Sequence, residues 1–428
     1  MGVRDVRDAL EATGVAVRAA GDGDEVAGVR PRWVALPESA EEIAAVMRVC
    51  AAHDLAVVAT GGGTKLRWGA SPARCDVLVD LCCMNRMPEH AAGDLVVRAQ
   101  AGVTVEALAR TLAEGGQELA LDVPVPGTTV GGLLATGVAG PRRFRHGTAR
   151  DLLIGVTVVL ADGTIAKSGG KVVKNVAGYD LGKLFTGSYG TLGIIADATF
   201  RLHPLPAARA WVTATVERPV TETERVMSAT GVLLTAVPAV TESPLEPSAV
   251  EIDWPDVDGP CTLAVLVEGA AAAERAKALC VLMNDVMDGS AEVTEEPPTW
   301  WNRLPSSDDD ALLELRIGVA SLPHMLPALR EAAHASGARP AIRGSLAAGT
   351  LHIGLRGLPG EIAGFVGLVR DDAEGMFDGR VVVLAAPPET ARRLDRWGRV
   401  GALPLMRRVK ERFDPDRRLS PGRFVGGI

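Results

Sequence analysis

Apolar residues recur along this chain in two patterns, one with helical spacing and one as short continuous runs. Residues 39–53 read as an amphipathic helix: Ile43, Val46, Met47 and Cys50 share one face, Ser39 stands at the N-cap, and Glu42 three residues on predicts a capping box. The runs 55–59, 77–81 and 95–101 predict buried strands, and 104–114 predicts a helix with Val105, Leu108, Ala109 and Leu112 at helical spacing. Residues 152–166 read as a hairpin: an apolar strand, the pair Asp162-Gly163 that predicts a type I′ turn, and a return strand. The first 30 residues hold a short amphipathic segment and then a polar, glycine-dotted stretch.

The texture changes after Arg201-Leu202-His203-Pro204-Leu205-Pro206, where prolines mark a boundary. Beyond it, strands are predicted at 211–216, 262–268, 312–320, 349–355 and 380–385, with helices at 221–234, 270–286, 325–336 and 361–376. This alternation reads as two β-α-β passes, in an antiparallel or mixed sheet with helices on one side. A basic helix at 403–413 precedes Leu419-Ser420-Pro421-Gly422-Arg423-Phe424.

A length of 428 residues predicts two domains, each with a sizeable core. The formal charge of −8 argues against a nucleic-acid-binding surface, which needs a basic excess. Basic residues cluster only at 407–418, where Glu411, Asp414 and Asp416 interrupt them, so a solvated helix face is expected. The six cysteines form no C-x-x-C pair and no Cys/His metal spacing, which argues against an iron–sulfur cluster held by this chain alone. No signal-peptide pattern opens the chain and no apolar run approaches the roughly 20 residues of a membrane helix, so a cytoplasmic location is expected.

Glycine-rich elements change the picture from a generic globular protein to one with a site. Thr60-Gly61-Gly62-Gly63-Thr64-Lys65 follows a strand directly, where successive backbone N–H groups can converge on an anion; a plain tight turn is the alternative. It is neither G-x-G-x-x-G, since Leu66 stands at the third glycine, nor a P-loop. Pro124 to Gly137 forms a second element, in which Gly131-Gly132 opens a small-residue helix whose N–H groups could face an anion. The third runs from Gly169 to Ile195 with seven glycines, and such a density needs turns at positive φ or backbone pressed against a ligand.

These three elements in this order resemble the flavin-binding domain of the vanillyl-alcohol-oxidase/PCMH type over Pro31 to Pro206. LSPGRF is similar to the closing motif of the FAD-linked oxidases. Within that branch, GGKVVKNVAGYDLGKL and GPRRFRHGTARDLLIG look most like the smaller FAD-binding subunit of bacterial glycolate oxidase. The resemblance implies an α+β protein: a PCMH-type FAD-binding domain of two α/β subdomains at 31–206, a ferredoxin-like α+β cap domain at 207–386, and a tail at 387–428 returning toward the FAD domain. It implies that Gly61, Gly62, Gly63 and Thr64 hold the FAD pyrophosphate with Thr60 and Lys65 beside them. Gly127, Thr128, Gly131 and Gly132 would line the second side, and Gly193, Ile194 and Ile195 would press backbone on the cofactor. No histidine lies between Thr60 and Gly69, so noncovalent FAD is expected.

Oxidation of a small 2-hydroxy acid such as glycolate or D-lactate needs hydride transfer to flavin, a base for the hydroxyl proton and a cation for the carboxylate. Relatives carry H-x-G-D-G-N-L-H, which Ser345-Leu346-Ala347-Ala348-Gly349-Thr350-Leu351-His352 resembles with only its last histidine kept. No bound metal is therefore expected, and His352 is either the base or a satisfied strand histidine. Arg303, in Trp300-Trp301-Asn302-Arg303, is similar to the family's carboxylate-gripping arginine, or is an ordinary surface residue. Arg316 and Arg343 lie in the same domain without a motif, and a structural role is expected of His146. The implied partners are a larger flavin subunit and an iron–sulfur subunit. A stand-alone dehydrogenase and a non-catalytic, FAD-stabilised assembly subunit are the alternatives.

Overall fold

A computed structural model of the chain describes residues 3–170, 179–216, 229–287, 291–307 and 309–428. They divide into two units: Met1–Ala139, Thr148–Leu205 and Val400–Ile428 form the first, Gly140–Gly147 and Pro206–Arg399 the second. These bounds differ from the sequence reading in three ways. The first 30 residues join the first unit, residues 140–147 join the second, and the tail enters the first unit at Val400 rather than at 387.

Among the described residues the first unit holds two larger sheets and a two-stranded ladder of Gln117–Glu118 with His203–Pro204. One has the order Ala16–Ala19, Trp33–Leu36, Val77–Asp80, Val57–Thr60; its first pair is antiparallel and the others parallel. The helix Ala40–Ala52 makes the crossover that parallel pairing requires. Ser39 Oγ accepts from the Glu42 amide at 3.1 Å, but the Glu42 carboxylate reaches the Glu38 amide at 2.8 Å, so the capping box is displaced by one residue. The other sheet is antiparallel, in the order Glu89–Ala91, Val96–Gln100, Ile194–Arg201, Leu153–Val159, Ile165–Gly169. Its hairpin matches 152–166, but the turn is not type I′. Leu160 and Thr164 close a three-residue loop in which Gly163 alone takes a positive φ, 83°. Residues 171–178, the heart of the motif that suggested a glycolate oxidase subunit, lie outside the described residues, as do 221–228 of the helix expected at 221–234.

The tail is built into this unit. Leu419 bridges Val57 in parallel: the Val57 amide donates to Arg418 O at 2.8 Å and the Ser420 amide to Val57 O at 2.8 Å, covering the sheet edge that the Val57–Thr60 strand exposes. The basic segment is not one solvated face, because Lys410 and Arg418 are buried. Lys410 Nζ donates to Thr191 O (2.8 Å), Asp414 Oδ2 (2.6 Å) and Leu419 O (2.9 Å), which satisfies all three of its N–H groups.

In the second unit, eight strands form one antiparallel sheet: Ala291–Thr294, Arg209–Val216, Cys261–Glu268, Ala249–Trp254, Arg339–Ser345, Thr350–Arg356, Ala311–Arg316, Arg380–Ala385. Chain order resolves it into two β-α-β-β-α-β halves, 209–294 and 311–385, each with the ferredoxin-like strand order. They join where Ala249–Trp254 pairs with Arg339–Ser345. The sequence pattern predicts neither these two central strands nor Ala291–Thr294, so it yields passes of three elements where the structure has six.

The pleat sorts side chains cleanly. Val212, Ala214, Val250, Ile252, Leu263, Val265, Ile342, Leu351, Ile353, Leu313 and Val381 point to one face and form a single core with the helices Ala272–Met287, Leu322–Ser336 and Pro359–Met376. Phe365 is fully buried there, which contributes roughly 1.5–3 kcal/mol. Arg209, Thr215, Glu268, Glu251, Asp253, Arg343, His352, Glu314 and Arg316 take the alternate positions and so share the other face. No helix among the described residues is long and apolar enough to cross a membrane.

Candidate functional site

The first unit carries an open cleft lined by residues 58–66 together with Thr129, Gly132, Ala135, Thr136, Tyr189 and Arg423. Its floor is the end of the Val57–Thr60 strand and the loop that follows. A Cβ at Gly61 would stand 2.3 Å from Thr129 Oγ1, and one at Gly62 would stand 2.1 Å from Gly127 O, so the two glycine loops interlock. The amides of Gly61, Gly62, Gly63, Thr64 and Lys65 have no hydrogen-bond acceptor among the described residues. Gly62, Gly63 and Thr64 are exposed, so their amides are open to solvent or to a ligand, and five successive unpaired donors at a cleft wall are a candidate anion-binding surface.

Lys65 is buried in the same wall. Its ammonium donates to Thr64 Oγ1 at 3.0 Å and Thr128 Oγ1 at 2.6 Å, both neutral hydroxyls. Burial pushes its pKa down to about 8, against a raising influence from Glu106. Arg423 reaches the cleft from the tail and donates to Leu66 O (3.0 Å) and Trp68 O (2.6 Å). Two cations and no carboxylate line the cleft, so its donor set fits a pyrophosphate.

The second glycine element meets the cleft differently from the sequence expectation. At the start of Val130–Thr136 the Val130 amide donates to Val103 O, Gly131 to Ala101 O (both 2.8 Å) and Gly132 to Thr129 Oγ1 (3.3 Å), so these N–H groups are not available to an anion. Gly131 is glycine because a Cβ would stand 2.9 Å from that of Ala101; it serves helix-to-strand packing and does not line the cleft. Thr128 is buried behind Lys65, and Gly127, at φ 73°, donates its amide to Glu106 Oε1 at 2.9 Å. Gly132 does line the cleft.

The third element contributes Tyr189 in place of Gly193, Ile194 and Ile195. Ile194 and Ile195 are buried in the five-stranded sheet opposite Val159 and Val158, and a Cβ on Gly193 would meet the Phe185 ring at 2.9 Å. Tyr189 holds a φ of 54°, donates its amide to Ala135 O at 2.8 Å, and stacks on Phe424 with ring centroids 5.7 Å apart. A non-glycine residue in this left-handed region is strained, and such strain collects at functional sites. Arg423 stands in the tail motif LSPGRF and Tyr189 in the third glycine-rich element, but the sequence assigns neither side chain to the site, because their positions depend on the tail folding back.

His352 lies in the second unit, in a cross-strand row: Glu314 is directly opposite it on one side, Arg343 on the other, and Asp253 beyond Arg343. His352 Nε2 lies 3.7 Å from Glu314 Oε2, and Arg316 Nε bonds Glu314 Oε1 at 2.7 Å. Burial lowers the His352 pKa to about 4; Glu314 pulls the other way, while Arg143 and Arg316 lower it further. The imidazole is therefore neutral at pH 7. Burial raises the Glu314 carboxyl, but Arg316 and His352 outweigh it and hold the group below its ordinary range.

Arg303 does not join this row. Its side chain is exposed, and its backbone carbonyl accepts from Arg343 Nη1 at 3.2 Å. Arg343 is the guanidinium beside His352; it pairs with Asp253 at 2.6 Å and lies 5.8 Å from the Trp300 ring centre. Its position follows from the Arg339–Ser345 strand, which the sequence reading missed. The Ser345–Ala348 segment is a tight turn in which Ser345 Oγ caps the Ala348 amide at 3.2 Å. His146 lies 3.7 Å from Glu268, which also pairs with Arg142 and Arg209 at 3.4 and 2.9 Å.

Residues 31–169 match the family model described as FAD binding domain. Over 182 residues, 42% of this chain, the sequence is 37% identical to D-lactate dehydrogenase [cytochrome] 1, mitochondrial, of Saccharomyces cerevisiae, covering 31% of that protein. Over 188 residues, 44% of this chain, it is 35% identical to glycolate oxidase subunit GlcD of Bacillus subtilis, covering 40% of it. The matches thus span about a third of the length of these relatives. The fold is similar to that of p-cresol methylhydroxylase, with a TM-score of 0.73 at 15% identity over 98% of this chain and 96% of that one. It is also similar to alkyldihydroxyacetonephosphate synthase, with a TM-score of 0.68 at 17% identity over 92% and 78%. Residues 31–169 therefore form a domain of the FAD-binding family, and the chain as a whole shares the fold of these solved structures.

Proposed function

We propose that this chain binds FAD noncovalently in the cleft of the first unit and serves as a flavoprotein subunit in the oxidation of a small 2-hydroxy acid such as glycolate or D-lactate. The observation that carries the reading is the row of five unpaired amides, 61–65, beside a buried lysine without a carboxylate partner. FAD, when bound, supplies the hydride-accepting chemistry. Gly61 to Lys65 would hold its pyrophosphate, and Gly132 and Tyr189 would flank it. The relatives' names, D-lactate dehydrogenase and glycolate oxidase subunit, support the 2-hydroxy-acid class.

One observation favours a subunit over a stand-alone dehydrogenase. A general base works best with a pKa near the operating pH, and His352 at about 4 lies far below it. Arg303, the expected carboxylate clamp, is exposed. The chain then relays or stabilises through its flavin, with a larger flavin subunit and an iron–sulfur subunit as partners. The test is to purify the chain, record its flavin spectrum, and add glycolate or D-lactate without oxygen. Bleaching only with partner subunits present supports the proposal. Bleaching by substrate alone supports the stand-alone enzyme, and a chain that takes up no flavin overturns both.

A further inference from the structure

We propose that Lys65 is the counter-charge of the pyrophosphate in this cleft, and that loading the dinucleotide draws a proton from solvent onto its amine. This rests on the FAD reading above. The side chain is 8% exposed, and its nitrogen points to the wall where Gly132 lines the cleft: a Cβ at Gly132 would stand 3.9 Å from it. Its two acceptors are neutral hydroxyls, leaving one N–H and the whole positive charge without a partner. A buried ammonium in that state is held only weakly in its charged form. In agreement, burial brings its titration down to about 8, so that the free protein near neutral pH carries a mixture of amine and ammonium.

The charged groups around it do not supply what a phosphate would. Glu106, on the helix Val105–Glu114, raises the Lys65 pKa but gives its carboxylate to the Gly127 amide at 2.9 Å. Arg423, the other cation of the cleft, adds a like charge and donates to two backbone carbonyls. A pyrophosphate against the amides of 61–65 would place negative charge next to Lys65 and return its pKa toward the ordinary lysine value of 10.5. Because ligand and proton then favour each other, the dissociation constant depends on pH. The protonated form carries nearly all of the affinity. Its fraction is about nine-tenths at pH 7 and about a tenth at pH 9, so the dissociation constant rises about tenfold.

The test is a titration of the flavin-free chain with FAD at pH 7 and pH 9 at constant ionic strength, by flavin fluorescence and equilibrium dialysis. ADP serves as a probe that has the pyrophosphate without the flavin ring. Expected are a roughly tenfold weaker FAD affinity at pH 9, the same trend with ADP, and calorimetric proton uptake near pH 8 of about half a proton per site. Lys65→Arg should bind without this pH dependence, and Lys65→Met should bind weakly and equally at both values. Wild-type affinities within twofold of each other overturn the inference and leave the FAD reading intact. Absence of FAD binding at either pH overturns both. If Lys65→Met does not fold, the wild-type series and Lys65→Arg decide alone.

Discussion

Gly61→Ala tests whether the cleft depends on two interlocked glycine loops. The added Cβ would stand 2.3 Å from Thr129 Oγ1, 3.1 Å from its Cγ2 and 3.1 Å from its Cβ, against the roughly 3.5–4.0 Å of a relaxed carbon contact. About 1 Å of movement is needed between a strand end and a helix N-cap, both anchored, and such overpacking costs about 1–3 kcal/mol. Thr129→Ala alone removes the cap of Val130–Thr136 and costs about 1 kcal/mol. In the double variant the 2.3 Å contact disappears and only the Cβ at 3.1 Å remains, so its loss should fall near that of Thr129→Ala alone. The two substitutions should therefore couple by about 1–3 kcal/mol. Gly62→Ala is the control, because its clash is with backbone, Gly127 O at 2.1 Å, and no side-chain truncation relieves it. Urea unfolding midpoints, with the slope checked for constancy, measure all four variants. Double-variant losses that equal the sum of the singles within about 0.5 kcal/mol would refute the interlocking.

Lys410→Met should destabilise the first unit by about 3–5 kcal/mol, since it leaves Asp414 buried with its ion partner gone; a urea midpoint close to wild type would count against this. His352 should remain neutral by NMR titration down to about pH 5. Its pKa is lowered on folding, so its contribution to stability is complete above about 6.5, is lost as pH falls toward 4, and should vanish from the pH–stability profile in His352→Gln. Glu268 is raised by burial but brought down to about 2 by His146, Arg142 and Arg209. Its contribution is present above about 4.5 and lost as pH falls toward 2; Glu268→Gln should flatten that limb of the acid denaturation curve.

Local signals placed much of the fold. The helix Ala40–Ala52, the hairpin around Asp162-Gly163 and most strands of the second unit follow from periodicity and caps, because those preferences act within a few residues. Ala249–Trp254 and Arg339–Ser345 escaped notice. Each forms a hairpin with the strand that follows it, Cys261–Glu268 and Thr350–Arg356, and their mutual pairing, about 90 residues apart in the chain, joins the two ferredoxin-like halves.

At the cleft the division is sharper. The sequence by itself determined that glycine loops stand after a strand and before a helix, since glycine at those positions has a backbone reason visible in one dimension. Only the tertiary structure decided which loop keeps its amides free. The Gly131 amide is captured by Ala101 O, whereas those of 61–65 meet no acceptor among the described residues. It likewise decided that Tyr189 and Arg423, not Gly193 to Ile195, reach the cleft wall. Hydrogen-bond partners and burial depend on segments brought together across hundreds of residues, and no local pattern records them.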